Sequence, residues 1–324
     1  MKTFELKDGS TIPALGLGTW KSAPGEVGAA VREAVKLGYR HLDCAPIYEN
    51  EKEIGQALAG MRGQIERDRL WITSKLWNNA HRPDLVRPAL EKTLSDLRLD
   101  YLDLFLIHWP VVLRPGVQFP ASADDFVSLA QVPILDTWRA MEECVAAGLA
   151  RTIGVSNFSS KKLVELLAAA RIPPVVNQVE AHPFLQQRGL LDFCVERRIL
   201  LTAYSPLGSG DRAGILKKPD EPSLFQLPLI QGIAARHRAT PAQVLLAWAM
   251  QRGTAVIPKS VHPERLQQNL AAQDLTLTAE EMVAVGGLDR DYRFVDGSFW
   301  AMPGSPYTLD NLWDGECDGR QAGC

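Results

Sequence analysis

Residues 38–51 read GYRHLDCAPIYENE, a predicted strand that ends at the carboxylate of Asp43 and is followed five residues later by the phenol of Tyr48. Two further apolar strand candidates also stop at a polar group, ITSK at Lys75 and LFLIHWP at His108. A phenol with a pKa of about 10 is a poor acid near neutral pH unless a nearby cation stabilises its anion, and Lys75 could supply that cation. These strand ends therefore indicate a site that combines an acid with groups that tune it.

The rest of the chain repeats the same order of strand and helix. Helical periodicity, as in residues 27–37 and 85–97, follows most of the apolar runs. Eight such runs are predicted strands: residues 14–18, 39–43, 70–76, 101–107, 151–155, 175–179, 199–204 and 254–257. Nearly continuous apolar strands separated by helices predict an α/β fold with a parallel sheet buried on both faces, and eight of them favour a closed (β/α)8 TIM barrel. The active site of such a barrel lies at the carboxyl ends of its strands.

Residues 4–12 alternate around an Asp-Gly pair, which predicts an N-terminal β-hairpin before the barrel. The length of 324 residues fits two domains or one large barrel. Because no repeat or linker divides the chain, we predict one domain over residues 1–324, with residues 290–324 as a long C-terminal loop. Residues 110–132, 206–225 and 290–324 are longer than ordinary connections and form either the rim of a substrate pocket or solvent-exposed insertions.

Charge and composition restrict the partners. Net charge is -3, with 35 basic and 38 acidic residues spread along the chain, so no basic stripe predicts binding to nucleic acid or to an anionic membrane. The N-terminus lacks the apolar core of a signal peptide, and no run approaches the roughly 20 apolar residues of a membrane span. We therefore expect a cytoplasmic protein with a small, neutral partner, and no feature requires more than a monomer.

The cysteines and histidines argue against disulfide and metal chemistry. Five cysteines without zinc spacing are typical of a reduced cytosolic protein, although Cys317 and Cys324 in the polar tail could form a loose redox pair as well as ordinary thiols. The six histidines never form a short ligand pair, so a metal-dependent hydrolase is a weaker hypothesis and no metal site is predicted.

In a barrel, Asp43, Tyr48, Lys75 and His108 would meet at one end. The carboxylate would hold the ammonium of Lys75, whose charge favours ionisation of Tyr48. His108 could donate a hydrogen bond to a carbonyl oxygen and support negative charge there. Taken singly, the tyrosine could be rim packing, the histidine a core residue, and the Asp-Lys pair a structural ion pair. Their occurrence at the ends of consecutive strands favours a site that polarises a carbonyl group.

These motifs resemble the aldo-keto reductases over about residues 3–315. The resemblance is carried by residues 38–55, the strand-end Lys75, IHWP at 107–110, and IPKS at 257–260 followed by Arg265 and Asn269. It implies a (β/α)8 barrel that binds NADPH or NADP+ in extended form, with Asp43, Tyr48, Lys75 and His108 as the catalytic residues. The tail at 304–313, GSPYTLDNLW, resembles the aldehyde and aldose reductase branch of that family.

The predicted cofactor site does not use a dinucleotide-binding glycine motif, because no Gly-x-Gly-x-x-Gly opens a helix after the first strand. The resemblance instead implies that Ser156, Asn157 and Gln178 contact the carboxamide of the nicotinamide and that Tyr204 stacks against its ring. It also implies that residues 205–209 begin a loop that folds over the pyrophosphate. The alternative is that these residues only lead the chain out of a strand. These cofactor residues are Thr19, Trp20, Asp43, Ser156, Asn157, Gln178 and Tyr204, with Ser205, Leu207 and Ser209 in the loop.

The adenosine end of the cofactor is predicted around residues 259–269. Lys259 and Ser260 precede a helix that begins near Pro263, where a cation, a hydroxyl and free amides suit a phosphate. Arg265 and Asn269 share one helix face, so the guanidinium could meet the adenosine 2'-phosphate and the amide the adenine. These contacts would favour NADPH over NADH. The alternative is that Arg265 and Asn269 are only a solvated pair on a surface helix.

Aromatic residues are the predicted walls of the substrate pocket beside Tyr48 and His108. They are Trp20, Trp77, Trp109 and Trp300, although buried tryptophans are also common in cores. The sequence thus predicts NADPH-dependent reduction of aldehydes, and of ketones, to alcohols, as in an aldehyde reductase or NADP+-dependent alcohol dehydrogenase. The alternative is a cofactor-sensing or scaffold subunit with the same barrel. Sugar, aromatic and lipid-derived aldehydes and simple ketones all remain open as substrates.

Overall fold

The computed structural model describes residues 1–210, 212, 217 and 221–316. Within them, eight parallel strands form one sheet in which strands that are consecutive within that sheet along the chain lie side by side. The strands in chain order are β1 (Thr3–Glu5), β2 (Thr11–Pro13), β3 (Leu17–Gly18), β4 (His41–Asp43), β5 (Trp71–Leu76), β6 (Leu102–Ile107), β7 (Val112–Leu113), β8 (Phe126–Val127), β9 (Ala150–Ser156), β10 (Val176–Glu180), β11 (Leu200–Tyr204) and β12 (Ala255–Val256). The barrel strands are β3 to β6 and β9 to β12.

The two edge strands of the sheet, β3 and β12, meet and close the barrel. The amide of Gly16 donates to the carbonyl oxygen of Val256 at 2.8 Å, and the amide of Val256 donates to that of Ala14 at 2.9 Å. At Gly18 a Cβ atom would lie 2.6 Å from the carbonyl oxygen of Ile257, so only glycine permits this close approach. The predicted (β/α)8 barrel is confirmed, and a closed sheet leaves no exposed strand edge.

Helices lie between the strands and cover the outside of the barrel. They are α1 (Val27–Leu37), α2 (Glu51–Ala59), α3 (Pro83–Leu97), α4 (Ile134–Ala146), α5 (Ser160–Leu167), α6 (Arg188–Glu196), α7 (Pro228–His237), α8 (Pro241–Gln251), α9 (Pro263–Ala271), α10 (Ala279–Gly286) and α11 (Leu309–Trp313). α3 shows how local sequence sets the boundaries, since Pro83 occupies its first turn and Arg98 ends it in the left-handed conformation with φ of 57°. All eight predicted strands are present, although the strands predicted at 14–18, 39–43 and 254–257 are shorter than predicted by two or three residues.

The predicted N-terminal hairpin is also present and fills one end of the barrel. β1 pairs with β2 in antiparallel register, with Phe4 opposite Ile12. Leu6 and Ile12 are buried in a cluster with Trp71 and Val176, the first residues of β5 and β10. Apolar side chains therefore pack the amino end of the barrel, and the opposite end is left for a ligand.

Two of the three long segments pack together over the carboxyl end of the barrel. β7 and β8, in residues 110–132, form an antiparallel pair. The hydroxyl of Tyr307 in the C-terminal loop accepts from the amide of Val112 at 2.9 Å and donates to the carbonyl oxygen of Val127 at 2.7 Å. These two segments form a rim around the carboxyl end of the barrel, which agrees with the first of the two alternatives given by the sequence, a pocket rim rather than solvent-exposed insertions. Part of the third segment, at 211, 213–216 and 218–220, lies outside the described residues.

The cysteines in apolar segments, Cys44, Cys144 and Cys194, are buried free thiols. Cys317 and Cys324 lie outside the described residues. No helix in the described part of the chain has the length and apolar character needed to cross a membrane. Among the same residues, no cluster of His, Cys, Asp and Glu has the composition of a metal site.

Candidate active site

The structure brings the four predicted catalytic residues together at the carboxyl end of the barrel. Asp43 ends β4, Lys75 lies in β5, and Tyr48 lies in a single 3-10 turn at Pro46–Tyr48. The Lys75 ammonium donates to Asp43 Oδ1 at 2.5 Å, to the carbonyl oxygen of Cys44 at 2.9 Å and to the Tyr48 hydroxyl at 3.3 Å. The lysine thus joins the carboxylate to the phenol, as the sequence predicted.

The electrostatics of this group combine burial with charge. Burial is the largest single effect and would lower the pKa of Lys75, but the Asp43 carboxylate and the Tyr48 hydroxyl together outweigh it and hold the pKa above its ordinary value, so the side chain is an ammonium. Burial raises the pKa of Tyr48 to about 12, and the charge of Lys75 opposes that rise without overcoming it. The lysine acts in the predicted direction, yet burial is the larger effect, and the phenol is protonated at neutral pH.

His108 directly follows β6 and faces the phenol. Its ring lies 5.8 Å from the ring of Tyr48 and 5.0 Å from that of Trp77, both in edge-to-face geometry. Burial lowers the pKa of His108 well below its ordinary value, and the charge of Lys75 acts in the same direction. A neutral imidazole at pH 7 retains one N–H donor, which suits a carbonyl oxygen bound beside Tyr48.

A network of buried amides and hydroxyls lies beside the catalytic group, at the ends of β9, β10 and β11. Gln178 Nε2 donates to Asp43 Oδ2 at 2.7 Å, and Ser156 Oγ donates to the carbonyl oxygen of Gln178 at 2.7 Å. The Tyr204 hydroxyl donates to Asn157 Oδ1 at 2.8 Å. Asn157 also has a positive φ of 63° and donates from Nδ2 to the carbonyl oxygen of His108 at 2.9 Å. The predicted carboxamide-binding residues are therefore connected to both Asp43 and His108.

A cavity of about 1170 Å³ opens onto this network. It exceeds the roughly 300–1,000 Å³ of an ordinary ligand pocket, so it has room for a dinucleotide and a second molecule. Every predicted site residue except Lys75 lines it: Thr19, Trp20, Asp43, Tyr48, Trp77, His108, Trp109, Ser156, Asn157, Gln178, Tyr204, Ser205, Leu207, Ser209, Lys259, Ser260, Arg265, Asn269 and Trp300. Lys75 is fully buried and contacts the cavity through its bonds to Asp43 and Tyr48, which both line it.

One part of the cavity has the character of a phosphate site. Lys259 and Ser260 precede α9, and Arg265 and Asn269 project from it into the same cavity. Guanidinium, ammonium and hydroxyl donors with a helix N-terminus are the groups that hold phosphates in proteins. The donor set therefore fits the phosphate-bearing end of NADPH.

Sequence reasoning missed several cations and polar groups that line the cavity. Lys21 Nζ lies 3.4 Å from Ser209 Oγ and 4.2 Å from the centre of the Trp20 ring, while Arg212 and Lys217 line the cavity from the third long segment. Lys21 directly follows a predicted site residue, Trp20, and that adjacency was a usable signal. Arg212 and Lys217 had no signal beyond the position of their segment.

Aromatic side chains form the remaining wall, as predicted. The ring of Trp300 lies 5.9 Å from those of both Trp77 and Trp109, and Trp20 lies 6.4 Å from Tyr48. Further apolar residues that sequence reasoning did not name line the same region: Ile47, Phe119, Val295 and Phe299. Phe119 is 62% exposed and belongs to the segment at 110–132 that the sequence marked as a possible rim.

Comparison with known proteins agrees with this geometry. The sequence pattern of the Aldo/keto reductase family matches residues 14–290. An aldo/keto reductase of Synechocystis sp. is 62% identical over 316 residues, which cover 97% of this chain and 97% of that protein. Aldo-keto reductase family 1 member A1 of Gallus gallus is 49% identical over 294 residues, covering 90% of this chain and 89% of that protein. The solved structure of the aldose reductase from Schistosoma japonicum superposes with a TM-score of 0.82 at 43% identity, covering 89% of this chain and 92% of that one.

Proposed function

The chain belongs to the aldo/keto reductase family, and we propose that it is an NADPH-dependent aldehyde reductase that also accepts ketones. The observation that carries the proposal is the Lys75 ammonium, bonded to both Asp43 and Tyr48 beneath an aromatic cavity. A protein that only senses a cofactor has no need of a phenol paired with a buried ion pair. Carbonyl reduction needs that arrangement, because a proton must reach the oxygen as the carbon is reduced.

In the proposed reaction the bound cofactor supplies a hydride to the carbonyl carbon. Tyr48 gives its hydroxyl proton to the carbonyl oxygen, and the ammonium of Lys75 stabilises the phenolate that forms. The neutral His108 donates an N–H to the same oxygen and orients it. Tyr48 is then protonated again from solvent, so the product is an alcohol and the enzyme returns to its starting state.

The cofactor residues divide between the two ends of the cavity. Ser156, Asn157 and Gln178 would hold the carboxamide, and Tyr204 would pack against the nicotinamide ring. Thr19, Trp20 and Asp43 would line the same end, and Ser205, Leu207 and Ser209 would lie along the pyrophosphate. Lys259, Ser260 and Arg265 would hold the adenosine 2'-phosphate and Asn269 would contact the adenine, and the positive charge there favours NADPH over NADH.

The aromatic wall suits apolar aldehydes, and Trp20, Trp77, Trp109 and Trp300 would contact them beside Tyr48 and His108. A cytoplasmic location, a monomeric state, one domain over residues 1–324 and the absence of nucleic-acid or membrane partners remain predictions of the sequence.

The test is the oxidation of NADPH, and separately of NADH, with a nitrobenzaldehyde. For Tyr48→Phe we expect kcat to fall by about 10²- to 10⁴-fold, since the proton donor is lost. The Kd for NADPH should stay within about twofold, because the phenol lies at the reacting oxygen rather than on the phosphates. Tyr101→Phe is a matched control, since Tyr101 immediately precedes β6 at the opposite end of the barrel and stacks against Arg67 there.

A fully active Tyr48→Phe protein would end this mechanism. Tight NADPH binding by the wild-type protein with no turnover of aldehydes or ketones would favour the cofactor-sensing subunit instead.

A further inference from the structure

We propose that Glu180 is a positioning residue that fixes the aromatic wall of the substrate site and thereby sets the discrimination between bulky and small aldehydes. This inference rests on the proposed function and names a specificity determinant within it. The residue was not among those predicted from the sequence. It lies at the end of β10, two residues beyond Gln178.

The carboxylate of Glu180 is fully buried, and both of its oxygens are bonded to the C-terminal loop. Oε1 accepts from the amide of Phe294 at 2.7 Å and Oε2 accepts from the amide of Val295 at 2.8 Å. His182 Nε2 lies 2.8 Å from Oε1. A buried carboxylate is stable only when such donors satisfy it, so this contact specifies one position for the loop.

The charge state of this group follows from its neighbours. Burial alone would raise the pKa of Glu180, but the bonded His182, the charge of Arg293 and the amide of Phe294 together hold it below the ordinary value. The carboxylate is therefore ionised and can only accept hydrogen bonds, so His182 presents Nε2–H to it. Charge-assisted hydrogen bonds of this kind are stronger than bonds between neutral groups.

The residues that follow this anchor form the wall of the cavity. Val295, Phe299 and Trp300 line it, and the ring of Trp300 packs within 5.9 Å of both Trp77 and Trp109. Trp300 lies six residues after Phe294, and no regular strand ties the intervening chain to the barrel. The position of the wall thus depends on where residues 294 and 295 are held.

A second set of contacts joins the same anchor to the end of the loop. The guanidinium of Arg293 lies 3.7 Å from the ring centre of Trp313, whose Nε1 donates to the carbonyl oxygen of Asp296 at 2.8 Å. Trp313 also packs 5.9 Å from Trp109. The loop is therefore held near both its beginning and its end, and substrates face a preorganised surface.

The end of the loop is in turn bonded to α5. Asp314 accepts from Ser159 Oγ at 2.6 Å and from Lys162, and the carboxylate of Glu316 accepts from the amide of Ser160 at 2.9 Å. Because these contacts do not involve Glu180, they should keep the tail docked when Glu180 is changed. Loss of Glu180 should then loosen the wall without releasing the whole loop.

Glu180 acts on the wall and not on the chemistry. Within the described chain it is not among the residues that line the cavity, and its side chain has no hydrogen bond to Asp43, Tyr48, Lys75 or His108. A small aldehyde needs only the catalytic group, whereas a bulky aromatic aldehyde also needs the tryptophan wall. The two substrates separate an effect on the wall from an effect on proton transfer.

The experiment compares Glu180→Gln with the wild type, using propanal and a biphenyl carbaldehyde. Glutamine keeps the size of the side chain but places an NH2 donor against a backbone N–H and removes the charge. We expect KM for the biphenyl aldehyde to rise roughly tenfold, since a charge-assisted hydrogen bond to the loop is lost. For propanal, kcat and KM should stay within about twofold.

Glu142→Gln is the matched control. Glu142 is a buried carboxylate in α4 that also accepts two backbone amides, those of Arg171 and Ile172, at 2.7 and 2.9 Å, but it does not touch the loop. This variant should leave the ratio of the two KM values unchanged. If it changes that ratio as Glu180→Gln does, the effect comes from general destabilisation and the proposal fails.

A double variant tests whether Glu180 acts through the wall. In a Trp300→Ala background, which removes the largest wall side chain that the anchored loop carries, Glu180→Gln should cause little further rise in KM for the biphenyl aldehyde. Equal rises for both aldehydes, or effects of the two substitutions that add, would overturn the proposal.

A backbone variant covers the case in which Glu180→Gln does not fold. Replacing the amide of Val295 by an ester removes one donor to the carboxylate and keeps every side chain, and it should give the same separation of the two aldehydes. An ester variant with wild-type KM values for both would also overturn the proposal.

Amide hydrogen exchange separates failure of this inference from failure of the proposed function. In Glu180→Gln, exchange at Phe294 and Val295 should accelerate by roughly tenfold, whether or not the protein reduces aldehydes. If the wild-type protein reduces no aldehyde but exchange is accelerated in the variant, the proposed reductase function is wrong while the role of Glu180 in holding the loop is supported. Unchanged exchange would refute the anchor itself.

Discussion

The ion pair between Lys75 and Asp43 provides the sharpest test of the site, through the substitution Asp43→Asn. The two groups are 2.5 Å apart, and their side chains are 0% and 2% exposed. At that distance their attraction is about 7 kcal/mol with an effective dielectric constant of about 20. Much of that attraction offsets the cost of taking both charges out of water, so the pair itself is a weak source of stability.

Breaking the pair is different, because it leaves a buried ammonium without its counter-charge. The contacts of Lys75 with the carbonyl oxygen of Cys44 and the hydroxyl of Tyr48 remain and reduce the penalty. We expect Asp43→Asn to lower the free energy of unfolding by about 3–5 kcal/mol. Catalysis should fall as well, because an uncompensated lysine no longer has a fixed charge or position beside the phenol.

The assay is urea unfolding of the cofactor-free protein at pH 7, compared with Glu91→Gln. Glu91 pairs with Arg87 at a similar distance, 2.8 Å, but both side chains are at least half exposed. That control should cost no more than about 1 kcal/mol, since surface ion pairs contribute little. The difference between the two variants measures the effect of burial on an otherwise similar pair.

A double variant tests whether the unpaired buried ammonium causes the loss of stability. Asp43→Asn combined with Lys75→Met removes the buried charge and should be more stable than Asp43→Asn alone, although it will be inactive. If the double variant is less stable than the single one, or if Asp43→Asn costs less than about 1 kcal/mol, then burial of an unpaired charge does not govern this site.

Two further predictions concern the cofactor and the response to acid. Arg265→Ala should raise KM for NADPH by roughly 10- to 100-fold and leave KM for NADH nearly unchanged, because only the 2'-phosphate loses a charge-assisted bond. If the ratio of the two KM values in a steady-state assay does not change, Arg265 does not bind that phosphate. Burial lowers the pKa of His41 to about 4, that of His81 to about 3, and that of His108 well below its ordinary value. The unfolded chain binds these three protons near pH 6.5 and the folded protein does not, so this stability is present above pH 6.5 and is lost on acidification. Burial also raises the pKa of Glu51 to about 7, so the folded protein binds one proton there that the unfolded chain does not, and this offsets one of the three histidines. Stability should therefore fall by up to about 3 kcal/mol per pH unit. Denaturant unfolding at pH 7, 6 and 5 checks this, and equal free energies at the three values would contradict it.

Local sequence was sufficient for the framework of the fold and for most of the site. Runs such as residues 102–107 are apolar throughout because barrel strands are buried on both faces, and helical periodicity separates them. Asp43, Lys75 and His108 could be assigned to one site because parallel strands bring their carboxyl ends to the same edge. Lys259 and Arg265 could be assigned to the same predicted phosphate site because they are close along the chain. Lys259 precedes α9, and Arg265 lies in its first turn.

Tertiary structure alone decided which distant segments meet over that edge. Glu180 bonds to Phe294 across 114 residues, and Tyr307 bonds to Val112 across 195. No local pattern encodes such partners, because loops without regular periodicity are placed by contacts with segments far away along the chain. The pKa of Tyr48 also depends on the tertiary structure. The order of the strands predicted that Lys75 would lie next to Tyr48, but it did not predict the pKa. The larger effect on it is burial, and burial depends on how the whole chain packs around one hydroxyl.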